Sequence, residues 1–249
     1  MLDLGVRYFD FRPGYCYPPI PDKNLYHQHQ FIPGYPYASF LNDVLSWLLT
    51  HPDEIVVISA NFQGFAVDSG VMEPSTDVLQ TYLNDALTAS NATGLIVPGD
   101  KSDLNTSYRD LLAAKKRVIF LNQVKASNDA NKYDSYSDSM YHTTDVTNIL
   151  AALDGMSKDG QTGHDYTVLQ LQGTANATGG GIFTSIATTS DTSSPLLSTK
   201  AAFDHSTYPW LKENVATRLN KDQLVVFLND FADNALVHHA IEITKQRAG

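Results

Sequence analysis

Short apolar strands alternate with amphipathic helical segments along almost the whole chain, and this alternation most restricts the fold. Val6–Arg12 (VRYFDFR) and Leu25–Phe31 (LYHQHQF) read as strands, separated by the Pro- and Tyr-rich loop PGYCYPPIPDKN. Ser39–Thr50 carries Phe40, Leu41, Val44, Leu45 and Leu48 at helical spacing, with Ser39 as cap and His51-Pro52 as stop. Glu54–Asn61 (EIVVISAN) is a β-branched apolar run of the kind found in strands buried on both faces. Helices at Thr76–Leu87 and Ser107–Lys115 then lead into a strand at Val118–Asn122. Asp145–Leu153, Ser206–Leu219 and Ala235–Lys245 read as helices, Thr167–Gly173 and Leu224–Asp230 as strands. Residues 126–142 and the Thr-, Ser- and Gly-rich segment 174–194 read as loops.

Strands alternating with helices imply parallel pairing through crossovers. A (β/α) barrel and a doubly wound open sheet both satisfy the pattern. No GxGxxG or GxxxxGKS loop follows the first strand, which favours the barrel. The 249 residues suit one domain spanning 1–249.

Lys and Arg number 17 against 27 Asp and Glu, a formal net charge of −10. Such a chain is not built to neutralise nucleic-acid phosphates, nor to bind an anionic membrane by charge alone. No apolar run approaches the roughly 20 residues of a membrane-spanning helix. With Cys16 the single cysteine, neither an internal disulfide nor a cysteine-based zinc site is available. No signal peptide is visible, and the chain already reads as strand by Val6, so it is expected to be incomplete at its N-terminus.

Side chains alternate faces along a strand, so Tyr8, Asp10 and Arg12 share one face while Phe9 and Phe11 share the other. The first face turns from apolar to charged toward the strand's C-terminal end, where (β/α) barrels place their chemistry. A structural ion pair closing the strand is the plainer reading. His27 and His29 share a face of the second strand and offer acid–base groups, or simply a hydrogen-bonded strand feature. Asn61 and Asp230 end two further strands. Two carboxylates, an amide, an arginine and histidines around one rim suit phosphoryl chemistry.

GVRYFDFRP, YHQHQF and FLNDVLSWLLTHPDEIVVIS, with VVFLNDFADNALVHHAIEI near the end, resemble the X region of phosphatidylinositol-specific phospholipase C. The likeness is specific over the first 60 residues; between about 65 and 220 only the order of elements agrees. It implies a distorted TIM-type barrel of the secreted fungal or bacterial kind, here missing its first strand. It also implies a lipid phosphodiester cut on the glycerol side. An inositol hydroxyl attacks phosphorus under general-base catalysis, a cyclic phosphate forms, and a second histidine protonates the leaving oxygen.

Carried over by position, His27 matches the general acid, with His29 as alternative because Gln28 stands where the family usually has glycine. Arg12 matches the arginine that metal-independent members set against the phosphate, and Asp10 the carboxylate beside it. Asn61 falls where other members have glutamate or lysine, and Asp230 matches the carboxylate that orients the first histidine. Arg12 and Asn61 argue against a calcium site, so no cofactor is expected. The strand bearing the general base is not represented, which predicts two open sheet edges and a loss of about 10²–10⁴-fold in rate.

The expected partners are a phospholipid substrate and, through Tyr15, Tyr17, Tyr35 and Tyr37, a membrane interface; packing of these tyrosines on the barrel is the plainer reading. A monomer, secretion and no nucleic acid are expected. Sequons at Asn91, Asn105 and Asn176 occur near chance frequency. Two alternatives remain: a barrel that binds without chemistry, and a metal-dependent glycerophosphodiester phosphodiesterase, whose E-x-D pair FDFR lacks.

Overall fold

The computed structural model describes residues 1–15, 24–29, 32–61, 73–121, 132–135, 143, 145–173 and 195–249. Cys16, Tyr17, His142, Asn176 and most of the segments read as loops at 126–142 and 174–194 lie outside the described residues. The chain divides into two compact units. One holds Arg7–Ala130 with Leu2; the other holds Asn131–Gly249 with Met1 and Asp3–Val6.

In the first unit, β1 (Tyr8–Phe11) leads into β2 (Pro13–Tyr15), then β3 (Leu25–His29), β4 (Ile32–Pro36) and α1 (Tyr37–Thr50). β5 (Val56–Ala60), α2 (Thr76–Ala89), β6 (Val97–Gly99), a 3₁₀ turn (Lys101–Asn105), α3 (Tyr108–Ala113) and β7 (Lys116–Leu121) follow. Four strands form a parallel sheet in the order β1-β5-β7-β6. The other three form a separate antiparallel sheet, β2-β3-β4.

The strand expected over Val6–Arg12 is therefore two strands. The chain leaves the parallel sheet at Arg12 and turns into the antiparallel one, because the Arg12 carbonyl accepts the N–H of Gln28 at 2.9 Å. The expected parallel strand at Leu25–Phe31 is instead the centre of that antiparallel sheet. The α/β class with parallel sheets holds. A closed barrel is not formed by the strand pairings among the described residues.

Helix α1 follows its apolar spacing: Phe40, Leu41, Val44, Leu45 and Leu48 are all buried. Phe9 and Phe11 meet this face, Phe11 stacking on Phe40 at 4.4 Å between ring centroids and Phe9 meeting the same ring edge-on at 5.3 Å. The helix starts two residues before the expected cap. Pro36, with φ −64°, precedes it, and no side chain caps it; a proline already has a φ suited to a helix start. Ser75 caps α2 by accepting the Val78 N–H, and Ser107 caps α3 by accepting the Asp110 N–H.

At the other end of α1, Arg117 is buried to 7% exposure. Its Nη2 donates to the carbonyls of Leu48 and His51, and its Nε to that of Glu54 at 3.3 Å. Nearby, Arg7 Nε donates to Glu54 Oε2 at 2.7 Å while its guanidinium lies 4.5 Å over the Trp47 ring. The hydrogen bond from Arg7 holds the Glu54 carboxyl below its usual pKa. A depressed carboxyl stabilises the fold above its unfolded pKa, and that contribution fades as pH falls through the folded value. The Tm gap between wild type and Glu54→Gln should therefore be present at pH 7 and shrink toward pH 3. With a third of the Glu54 side chain exposed, the gap should be small, under about 1 kcal/mol. A gap that widened in acid would contradict the assignment.

The second unit contains β8 (Lys132–Asp134), α4 (Val146–Asp154), β9 (Tyr166–Gln170), α5 (Pro195–Arg218), β10 (Leu224–Leu228) and α6 (Asn234–Ala248). Its parallel sheet runs β10-β9-β8, and α5 packs against α4 and α6. Ile149, Leu153, Leu169, Leu211, Val215 and Leu219 are fully buried in its core. α5 begins well before the expected Ser206 and carries Pro209 within it.

An amide network closes the N-terminal side of β9 and β10. Gln161, 3% exposed, donates through Nε2 to Thr167 Oγ1 at 2.6 Å and Gln223 Oε1 at 2.7 Å, and accepts the Asn220 N–H at 2.6 Å. Gln161→Leu keeps the volume but strips these groups of a partner. It is expected to cost about 2–3 kcal/mol in urea unfolding; a loss below about 0.5 kcal/mol would show that the network does not hold the unit. Among the described residues, no helix is long and apolar enough to cross a membrane.

Candidate active site

Parallel register aligns β1 and β5 so that Asp10 lies beside Ser59, and Asn61, just past the end of β5, donates its backbone N–H to the Phe11 carbonyl at 3.2 Å. Strand alternation then puts Asp10, Arg12, Ser59 and Asn61 on one face, opposite Phe9 and Phe11 in the core. The side chains meet. Arg12 Nη2 donates to Asp10 Oδ2 at 3.0 Å, and Asn61 Nδ2 donates to Asp10 Oδ1 in a short contact. Both oxygens of Asp10 thus have a partner. The Asp10 and Arg12 side chains are 20% and 23% exposed, so the pair is neither sealed in the core nor freely solvated. A guanidinium anchored by a carboxylate presents a planar fork suited to a phosphate.

His27 joins the cluster through the backbone, not through the guanidinium. It stands opposite Pro13 in the β2–β3 pairing, and its Nδ1 accepts the Arg12 backbone N–H at 3.2 Å. Its ring is edge-on to Phe11, with centroids 5.2 Å apart. Gly34 on β4 passes behind it: a Cβ there would lie 3.3 Å from both Cβ and Cδ2 of the histidine. Gln28 is 2% exposed and binds the Gly14 carbonyl through Nε2 at 3.4 Å. A glycine at position 28 would lack this tie. His29 ends β3 opposite Ile32; its side chain lies outside the described residues.

Asp230 belongs to the second unit, two residues past the end of β10 rather than on the strand. Gln172 Nε2 donates to its Oδ1 at 3.3 Å. The two residues share a small pocket with Lys200, Asp204 and Asn229 at the C-terminal ends of β9 and β10. Lys200 bridges Asp204 and Asp233, the latter at 2.6 Å. Burial pushes the Lys200 pKa down, but hydrogen bonds to both carboxylates outweigh it and the value is raised. Among the described residues, no three His, Cys, Asp or Glu side chains are grouped so as to hold a metal ion.

Of the tyrosines read as a rim, Tyr37 is fully buried, tilted against Phe11 and Tyr82, and its burial raises its pKa. Packing, the plainer of the two readings, is what it does. Tyr35 is 53% exposed and donates to Asp43 at 2.7 Å. The sequence reading missed Gly34, the fixing role of Gln28 and the buried Arg117. The only sequence trace of Gly34 is a glycine within an apolar stretch shortly after a histidine.

No family model matches the chain, and no curated protein matches it either. Solved structures do. A structure of Staphylococcus aureus phosphatidylinositol-specific phospholipase C, concerned with modulation of that enzyme's membrane binding, is 18% identical with a TM-score of 0.54, covering 97% of this chain and 80% of that one. A mutant of the same enzyme gives a TM-score of 0.57 at 16% identity with the same coverage. A further membrane-binding form gives 0.57 at 15%, covering 96% and 80%. The likeness noted in the first 60 residues thus extends, as a fold, along nearly the whole chain. This chain has the fold of phosphatidylinositol-specific phospholipase C.

Proposed function

We propose that the chain is a metal-independent phosphodiesterase of the phosphatidylinositol phospholipase C type, acting on the phosphodiester of an inositol phospholipid. The observation that carries this is the Asp10–Arg12–Asn61 cluster, in which one carboxylate is held from both sides and in turn fixes the guanidinium. Charge grows on the phosphoryl oxygens as an inositol hydroxyl attacks, and a preorganised cation opposes that charge without reorganising. A calcium ion would need several oxygen ligands. Here Asn61 turns its amide N–H₂ toward Asp10, and Arg12 supplies the positive charge such an ion would bring. His27, fixed beside Arg12, supplies an N–H toward the reacting phosphodiester. The membrane binding of the Staphylococcus aureus enzyme supports a lipid surface as the place where the substrate is met.

The test is release of water-soluble phosphate from vesicles of phosphatidylinositol in phosphatidylcholine, with EDTA present. Release above a protein-free control supports the reading. No release from this or any other phosphodiester would overturn it in favour of a binding protein. Release abolished by EDTA would favour a metal-dependent glycerophosphodiester phosphodiesterase.

A further inference from the structure

Helix α2 ends in a turn that usually takes glycine, and the residue there is Asn91, with φ 57°. The Asn91 N–H donates to the Thr88 carbonyl at 3.1 Å and the Ala92 N–H to the Leu87 carbonyl at 2.8 Å, the paired bonds of a Schellman closure. Asparagine tolerates the left-handed conformation, so capping alone is the plainer account of it. Three further features go beyond capping. Thr93 stands two residues on, with Ala92 between, which completes an acceptor tripeptide for an N-linked oligosaccharide. Asn91 and Thr93 are both exposed, while Ala92 and Ile96 are buried to 0% and 2%, and the Ala92 carbonyl accepts the N–H groups of Leu95 and Ile96 at 2.9 Å each. The loop is thus pinned from beneath and holds the acceptor outside the fold. Immediately beyond it, Leu95 and Val97 are 54% and 38% exposed, apolar side chains left in water beside the acceptor.

We propose that Asn91 carries an N-linked oligosaccharide whose first sugars lie over Leu95 and Val97. The donor is an oligosaccharide on a lipid pyrophosphate, used by a transferase of the secretory compartment. The Asn91 carboxamide nitrogen bonds to the anomeric carbon, the bond from that carbon to the phosphate oxygen breaks, the lipid pyrophosphate leaves with the electron pair, and the amide gives up one proton to a base of the transferase. A chain modified in this way folds only where the sugar can stay outside, which the pinned loop provides. A pyranose ring has C–H faces as well as hydroxyls, and laying one over the two side chains takes apolar area out of water. The tripeptide at Asn105 has a different reading, since its third residue, Ser107, is the cap of α3. Asn91 lies on the loop entering β6, at the opposite end of the parallel sheet from Asp10, Arg12 and Asn61. A glycan there leaves that cluster open, and the assignment does not depend on the phosphodiesterase reading.

The test is peptide mapping of the protein purified from the cells that make it, after peptide-N-glycosidase treatment in H₂¹⁸O, which turns a glycosylated asparagine into aspartate carrying ¹⁸O. The peptide spanning Asn91 should carry the label. Thr93→Ala, expressed in the same cells, leaves Asn91 and its turn in place and should abolish the label. An unlabelled Asn91 in the wild-type protein, or a label that survives Thr93→Ala, would overturn the site. Deglycosylating the folded protein should raise its binding of a fluorescent dye for apolar surfaces, and the double variant Leu95→Ser, Val97→Thr should not show that rise. Dye binding unchanged by deglycosylation, or a rise that persists in the double variant, would overturn the placement of the sugars over these two side chains.

Discussion

Replacing Arg12 with alanine is expected to cut turnover of phosphatidylinositol by about 10²–10³-fold while leaving the fold nearly intact. The side chain is a preorganised cation at 3.0 Å from Asp10, partly open to solvent, and does not belong to the apolar core. Its removal leaves Asp10 with the Asn61 amide still in place. The stability cost of losing such a partly exposed pair is about 1 kcal/mol, or about 2–4 °C in Tm for a chain of this size. Arg12→Lys restores the charge but not the planar fork, and should fall between wild type and alanine. Kinetics and a melting curve on the same preparation check this. Activity lost in step with a Tm drop of tens of degrees would make Arg12 a structural residue.

The largest effect on stability is expected at a residue far less visible in the sequence. Arg117→Met should cost about 3–5 kcal/mol, a Tm decrease on the order of 10 °C. The guanidinium is buried, and desolvation pulls its pKa down from the usual arginine value. It remains in place because it closes the C-terminal end of α1, where the last carbonyls have no partner within the helix and carry its negative end. Replacing a buried ion pair with apolar groups can be neutral when both partners go. Here the acceptors are the backbone carbonyls of Leu48, His51 and Glu54, which stay and lose a charged donor. Arg117→Lys offers one nitrogen for three divergent carbonyls and should recover only part of the loss. Chemical denaturation of the three proteins checks this, and a methionine variant within 1 kcal/mol of wild type would contradict it.

Arg12 lies in a stretch the sequence reading identified as a strand, whereas Arg117 falls just before the strand read at Val118–Asn122 and inside the observed β7, and only the first role was legible. The face shared by Asp10 and Arg12 follows from period-two alternation, and Asn61 joins it because β5 ends as a buried parallel strand beside β1. Helix α1 was legible for a similar local reason, five apolar positions at helical spacing with a His-Pro stop. Arg117 reads as the last of three basic residues, Lys115 to Arg117, before an apolar strand, and nothing local says that it turns toward a helix 66–69 positions earlier. The site of His27 depends on pairing of the same long-range kind. Histidine alternation in LYHQHQF suggested a barrel strand, but the strand pairs antiparallel with Pro13–Tyr15, and a break at Arg12 makes that possible. β6 escaped notice because it is three residues long with Pro98 at its centre, and β8 because it is a three-residue edge strand in polar sequence. The fold class was carried by local patterns, while the surroundings of the histidine were carried by a sheet that local patterns do not encode.

The most direct test of the proposed chemistry is a ³¹P NMR time course on phosphatidylinositol in mixed micelles with the purified protein and EDTA. An Arg12–His27 site that cleaves on the glycerol side without a metal predicts decay of the phospholipid resonance and growth of a five-membered cyclic phosphodiester. An unchanged spectrum, or conversion that starts only when a divalent cation is added, would contradict it.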